Sequence, residues 1–100
     1  MKFKHSWELN TTDELDEIFN GGKKELSDII VDVALENVKT KRKVIPVITI
    51  YTQDTDMTYD IVIEREDMTE TLEVNLDTME DYEDYERCFK IQEALVYLKK

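Results

Sequence analysis

Carboxylates at alternate positions are the first residues in this chain with the makings of a chemical site. In "DTDMTYD" the side chains of Asp54, Asp56, Thr58 and Asp60 alternate as the oxygen ligands of a calcium loop do. Such a loop also needs glycine at its sixth position and a bidentate glutamate at its twelfth. Counted from Asp54, those positions hold Tyr59 and Arg65, so the stretch reads as the polar loop of a hairpin.

Other constellations are weaker. His5 is the only histidine, which rules out a histidine-based metal cluster within one chain. Cys88 as a nucleophile would need a base and a lowered pKa, yet its helical neighbours include Asp84 and Glu86, with Arg87 a partial counterweight, so it reads as a small core residue. The only glycines are Gly21 and Gly22, too few for a phosphate-binding loop, and no carboxylate pair is singled out by an apolar setting. No catalytic residue, metal or cofactor is expected, and the chain is read as not an enzyme.

What remains is "DTMEDYEDYERCFK", residues 77–90, in which Glu80, Asp81, Glu83, Asp84 and Glu86 crowd around Tyr82 and Tyr85. The elements that carry this cluster can be read from periodicity. "KFKHSWELN" alternates Phe3, His5, Trp7 and Leu9 with polar residues, which predicts a first strand. "TTDELDEIFNGG" predicts a short helix with Thr11 as N-cap, Glu14 three residues later, Leu15, Ile18 and Phe19 on one face, and a stop at Gly21.

Residues 25–38 fit two periods. As a helix, Glu25, Asp28, Asp32, Glu36 and Lys39 form one polar stripe; as a strand, Ile29, Val31, Val33 and Leu35 form one apolar face, and the β-branched content favours the strand. "KVIPVITIYTQ", "TYDIVIERE" and "TETLEVNL" read as three further strands in an antiparallel meander, with Tyr59, Ile61, Ile63, Leu72, Val74 and Leu76 facing inward. Pro46 places its strand at an edge, or itself at a bulge or strand start.

A helix from about Thr78 to Leu98, capped by Asp77 or Thr78, closes the chain and spans about 30 Å. On it Tyr82, Tyr85, Phe89 and Val96 form a stripe expected to be core, with a second stripe of Cys88, Ile91, Leu95 and Leu98 in the C-terminal half. The expected fold is α+β: a single two-layer domain over residues 1–100, with a four- or five-stranded, mainly antiparallel sheet packed by this long helix and the short N-terminal one.

Charge narrows the function. Residues 1–50 carry eight basic and nine acidic residues, net −1; residues 51–100 carry five and fifteen, net −10. Between Asp54 and Glu86 fourteen acidic residues meet one base, Arg65, while Lys39, Lys41, Arg42 and Lys43 cluster just upstream. A field of that kind attracts basic partners and repels nucleic acid and anionic membranes, so direct nucleic-acid binding is not expected. The longest purely apolar run, Ile29–Val31, is far short of a membrane span. With one cysteine and an N-terminus lacking an apolar leader, a cytoplasmic location is expected, in a host cytoplasm if the chain is phage-encoded.

On a continuous helix the five carboxylates from Glu80 to Glu86 would give roughly one charge per 1.8 Å, close to the one per about 1.7 Å of duplex DNA. Asp60, Glu64, Glu66, Glu73 and Asp77 would add an acidic sheet face if the strand alternation holds. In size, build and concentrated acidity the chain resembles the small inhibitors that bacteriophages direct against host DNA-binding enzymes, such as anti-CRISPR proteins and uracil-DNA glycosylase inhibitors. The resemblance rests on whole-chain composition and carries no functional residue with it. It implies a DNA-mimic-type inhibitor.

The expectation is therefore a non-enzymatic protein that docks the basic surface of a nucleic-acid-binding partner through Glu80, Asp81, Glu83, Asp84, Glu86, Tyr82, Tyr85, Glu64 and Glu73. The alternative is a small structural or assembly subunit, a homo-oligomer joined through sheet edges and charge complementarity.

Overall fold

The computed structural model describes residues 2–22 and 24–100. In chain order it contains β1 (His5–Leu9), α1 (Thr12–Glu17) running into a π-helical turn at Ile18–Gly22, α2 (Lys24–Asn37), β2 (Val44–Thr52), β3 (Met57–Glu64), a 3-10 turn at Arg65–Asp67, α3 (Met68–Asp81) and α4 (Tyr85–Leu98).

The fold is α+β, with four α-helices and a mixed sheet of three strands in the order β1-β2-β3. This corrects the expected four- or five-stranded, mainly antiparallel sheet. β1 pairs with β2 in parallel, from His5 opposite Ile48 to Leu9 opposite Thr52, while β2 and β3 form an antiparallel hairpin. A parallel pair needs a long crossover, and the residues between β1 and β2 supply it as α1 and α2.

The strand expected at residues 25–38 is therefore replaced by helix α2, which runs to Asn37. Val31 and Ala34 are fully enclosed and Leu26, Val33 and Val38 are buried, so α2 hides two sides of itself. A helix can bury β-branched residues at such positions because tertiary packing outweighs the small loss of intrinsic propensity. The expected strand at "TETLEVNL" is likewise part of α3. Met68, Leu72 and Met79 are buried at helical spacing, and Val74, expected to face inward, is exposed.

The first strand and helix form where their periodicity places them. Half-buried His5 and Trp7 and buried Leu9 alternate with exposed Ser6 and Glu8. The Thr11 hydroxyl accepts from the Glu14 amide at 3.3 Å, and Leu15 and Ile18 are buried, although Phe19 is exposed and the helical backbone continues past Gly21 to Gly22. Pro46 lies in the central strand, beyond the reach of β1, whose pairing starts at Ile48. The register shifts between Pro46 and Ile48, leaving Val47 without a partner in β3, the bulge position that tolerates a missing donor.

Ile45, Val47, Ile48 and Ile50 of β2 form the centre of one hydrophobic cluster that also takes in Met68, Leu72, Met79 and Ile91. The helices cover one face of the sheet. The other carries Ser6, Glu8, Thr49, Tyr51, Thr58, Asp60 and Glu64, none of them buried. α2 lies against β2, and α4 packs on α3 and α2; the expected long helix across the sheet is thus replaced by a helical hairpin. Among the described residues no helix is long and apolar enough to cross a membrane.

Candidate functional site

The acidic-aromatic cluster sits at the corner of that hairpin, and no glycine or proline marks the corner in the sequence. α3 ends at Asp81. The Glu83 amide then donates to the Glu80 carbonyl at 3.0 Å and the Asp84 amide to the Met79 carbonyl at 2.9 Å, the paired bonds of a Schellman termination. Glu83 occupies its left-handed position with φ of 59°. Asp84 starts the next helix as N-cap, accepting from the Arg87 amide at 3.3 Å.

Asp84 also receives Lys24 Nζ and Arg87 Nη1, both at 2.8 Å. Lys24 reaches Asp28 at 2.8 Å, and Arg87 forms a two-pronged pair with Asp32 through Nε at 3.0 Å and Nη2 at 2.8 Å. Five charges thus tie α2 to the corner. The hydrogen bonds from Lys24 and then Arg87 hold the Asp84 carboxyl well below the usual carboxylate range, and Asp32 followed by Asp84 raises the guanidinium of Arg87 further. With only 15% of its side chain exposed, Asp84 is already spoken for within the molecule.

The other candidate carboxylates are placed differently. Glu80, Asp81 and Glu83 are exposed, and Glu86 pairs with Lys90 at 3.3 Å on the surface of α4. Glu64 ends β3 on the open sheet face beside Asp60, whereas Glu66 lies in the 3-10 turn and Glu73 and Asp77 on α3, which corrects the single acidic sheet face expected from alternation. The break at residues 82–84 also removes the continuous helix behind the duplex-like charge density.

Sequence reading missed the larger feature. Glu66, Glu70, Glu73, Asp77 and Glu80 recur at intervals of four and three, which lays an acidic seam along α3, about 21 Å long. The 4-3-4-3 spacing was visible in the sequence but was masked by reading part of it as a strand. Near the start of the seam the carboxylates of Glu64, Glu66 and Asp67 lie within 4.8 Å of one another, all exposed.

Arg65, the lone base of this stretch, turns away from them. It donates to the carbonyls of Asn37 at 2.9 Å, Val38 at 3.3 Å and Arg42 at 2.9 Å and to the Thr40 hydroxyl at 2.8 Å, closing the C-terminal end of α2. Among the described residues no ion pair engages Glu64, Glu66, Asp67, Glu70, Glu73, Asp77, Glu80 or Asp81. The basic turn 39–43 leads into Val44, which pairs with Glu64, so it adjoins one end of the seam and the uncompensated charge runs away from it toward Asp81.

The aromatic stripe expected to be core is on the surface: Tyr82, Tyr85, Phe89 and Val96 are 48%, 66%, 62% and 65% exposed. Of the second stripe, Cys88, Ile91 and Leu95 are buried instead, together with Ala94, and Leu98 is partly buried against them. In the same orientation Arg87, on the flank of α4, reaches Asp32 and Asp84. Burial, with Glu80 and Asp84 nearby, pushes the Cys88 thiol up and away from thiolate. At the hairpin tip the carboxylates do not converge: Asp54 accepts from the Thr12 amide and hydroxyl, Asp56 from the Tyr51 hydroxyl and Asp60 from the Thr49 hydroxyl.

No protein-family model matches the chain, and neither does any curated protein or solved structure.

Proposed function

We propose that this is a non-enzymatic binding protein whose acidic α3 face docks the basic surface of a nucleic-acid-binding protein and blocks it. The supporting observation is the seam itself. Among the described residues, the eight carboxylates from Glu64 to Asp81 stand without an ion pair while the only base among them is turned to the far side.

Like charges held that close destabilise the free protein, and a basic partner offsets the repulsion while the field steers its approach. Tyr82 and Tyr85, exposed where α3 meets α4, add aromatic contact area at the end of the seam. Along α3 the charges fall about 5 Å apart, coarser than the roughly 3.4 Å per phosphate of one DNA strand. The reading is therefore of an acidic protein surface that competes with nucleic acid for positive charge, more than of a close copy of a duplex.

The test is a pull-down from the native host lysate, with wild type beside a variant carrying Gln or Asn at Glu70, Glu73, Asp77 and Glu80. The expected capture is a DNA- or RNA-binding protein that the variant loses and that DNA displaces. Equal recovery on both baits would remove the seam from the function.

A further inference from the structure

From the exposed side of α4 we infer a second interaction surface, one that takes another copy of this chain in antiparallel orientation. At about 100° per residue Tyr85, Phe89, Gln92 and Val96 fall within roughly 60° of arc. Their outward direction leaves an apolar stripe along a whole helix with nothing packed on it. This surface meets the α3 seam only at Tyr85, and its remaining residues, Phe89, Gln92 and Val96, lie outside the face proposed to bind a basic partner.

Charge decides the occupant. Arg87 is engaged by Asp32 and Asp84, so residues 85–100 present three other bases, Lys90, Lys99 and Lys100, and two acids, Glu86 and Glu93, for a net +1 in the otherwise acidic half of the chain. A basic partner gains nothing here. The charges are instead graded along the helix: Glu83 and Glu86 at its start, Lys99 and Lys100 just past its end. Two copies laid antiparallel bring each acidic start onto the other's basic end, oppose the two helix dipoles favourably, and cover Phe89 and Val96 on both chains. A parallel pair would set like against like.

One helical face is smaller than the ~800 Å² per partner of a standard interface, so the dimer belongs to high concentration, on the order of 100 μM.

Sedimentation equilibrium from about 10 μM to about 1 mM reads the association. The expected result is a monomer that becomes a dimer across this range, with Phe89→Ser or Val96→Ser weakening association at least tenfold while circular dichroism shows the fold intact. Both variants leave Tyr82, Tyr85 and the seam untouched, so their failure is distinct from failure of the acidic face. Glu83→Lys/Glu86→Lys alone and Lys99→Glu/Lys100→Glu alone should each be monomeric, and an equimolar mixture should recover the dimer, because one chain then has two basic ends and the other two acidic ones. A monomer at all concentrations, or a dimer indifferent to both the stripe and the charge variants, would overturn the inference.

Discussion

Replacing Glu83 by glycine should make this protein more stable, although the substitution deletes a side chain and loosens the backbone. At φ of 59° Glu83 occupies the left-handed region, which costs an L-residue roughly 1–2 kcal/mol and costs glycine almost nothing. Glycine gives back about 0.5–1 kcal/mol through the extra freedom of the unfolded chain. The net gain is about 0.5–1 kcal/mol, or roughly 2–8 °C in the melting temperature of a domain this size. In the continuous helix expected from the sequence, the same change would cost about 1 kcal/mol. The sign therefore distinguishes the two geometries. Glu83→Gln is the control, since it removes the charge and keeps the strained backbone. Thermal and urea melts of the three proteins give the answer, and a Gly variant no more stable than the Gln variant would refute the corner as described.

Two further outcomes follow from the ion-pair cluster and the core. Asp84→Asn keeps an N-cap but takes one of the two carboxylates from each of Lys24 and Arg87, which retain Asp28 and Asp32, and should cost about 1 kcal/mol in urea unfolding. Because the folded state depresses the Asp84 pKa, the stabilisation is fully present above the ordinary carboxylate value near pH 4 and is lost as pH falls below it; the wild-type acid limb between about pH 5 and pH 2 should be steeper than that of the Asn variant. Cys88, buried with its thiol pushed up, should react with a thiol reagent only as fast as the protein opens, and rapid labelling of the native protein would contradict its placement.

The legible parts of the fold were those in which local pattern and tertiary demand agree. β1 alternates cleanly, Thr11 caps as its spacing suggests, and the β2–β3 hairpin follows its polar loop. Residues 70–76 misled because Leu72, Val74 and Leu76 are too short a window to separate two periods; including Met68 and Met79 restores the helical one. In α2 the repeating Asp28, Asp32 and Glu36 carried the helical signal, and the purpose of the first two lies in Lys24 and Arg87, the latter more than fifty residues away. The tyrosines of the candidate site were assigned to the core by projecting through residues 82–84, where a left-handed glutamate ends the helix without a glycine to announce it. Which of two competing stripes of α4 goes inward depends on its packing against α2 and α3, long-range contacts that no local pattern encodes.

The parallel pairing of β1 has a consequence for how the chain survives its own folding. His5 meets Ile48 across 43 positions (48 − 5), whereas the β2–β3 and α3–α4 hairpins join neighbours in sequence. Closing the longer loop costs more entropy, which predicts that β1 docks after the hairpins have formed. Until it docks, the edge of "ITIYT", Ile48–Thr52, is bare, an uncharged, β-branched stretch of the kind that pairs with other chains. The hairpin tip latches the strand that covers it: Gln53 donates to the Leu9 carbonyl at 2.9 Å and to the Glu8 carboxylate at 2.8 Å, and Asp54 holds Thr12. Those few polar bonds, remote from the acidic seam, tie β1 to the edge it covers, and losing them is expected to raise the tendency to aggregate.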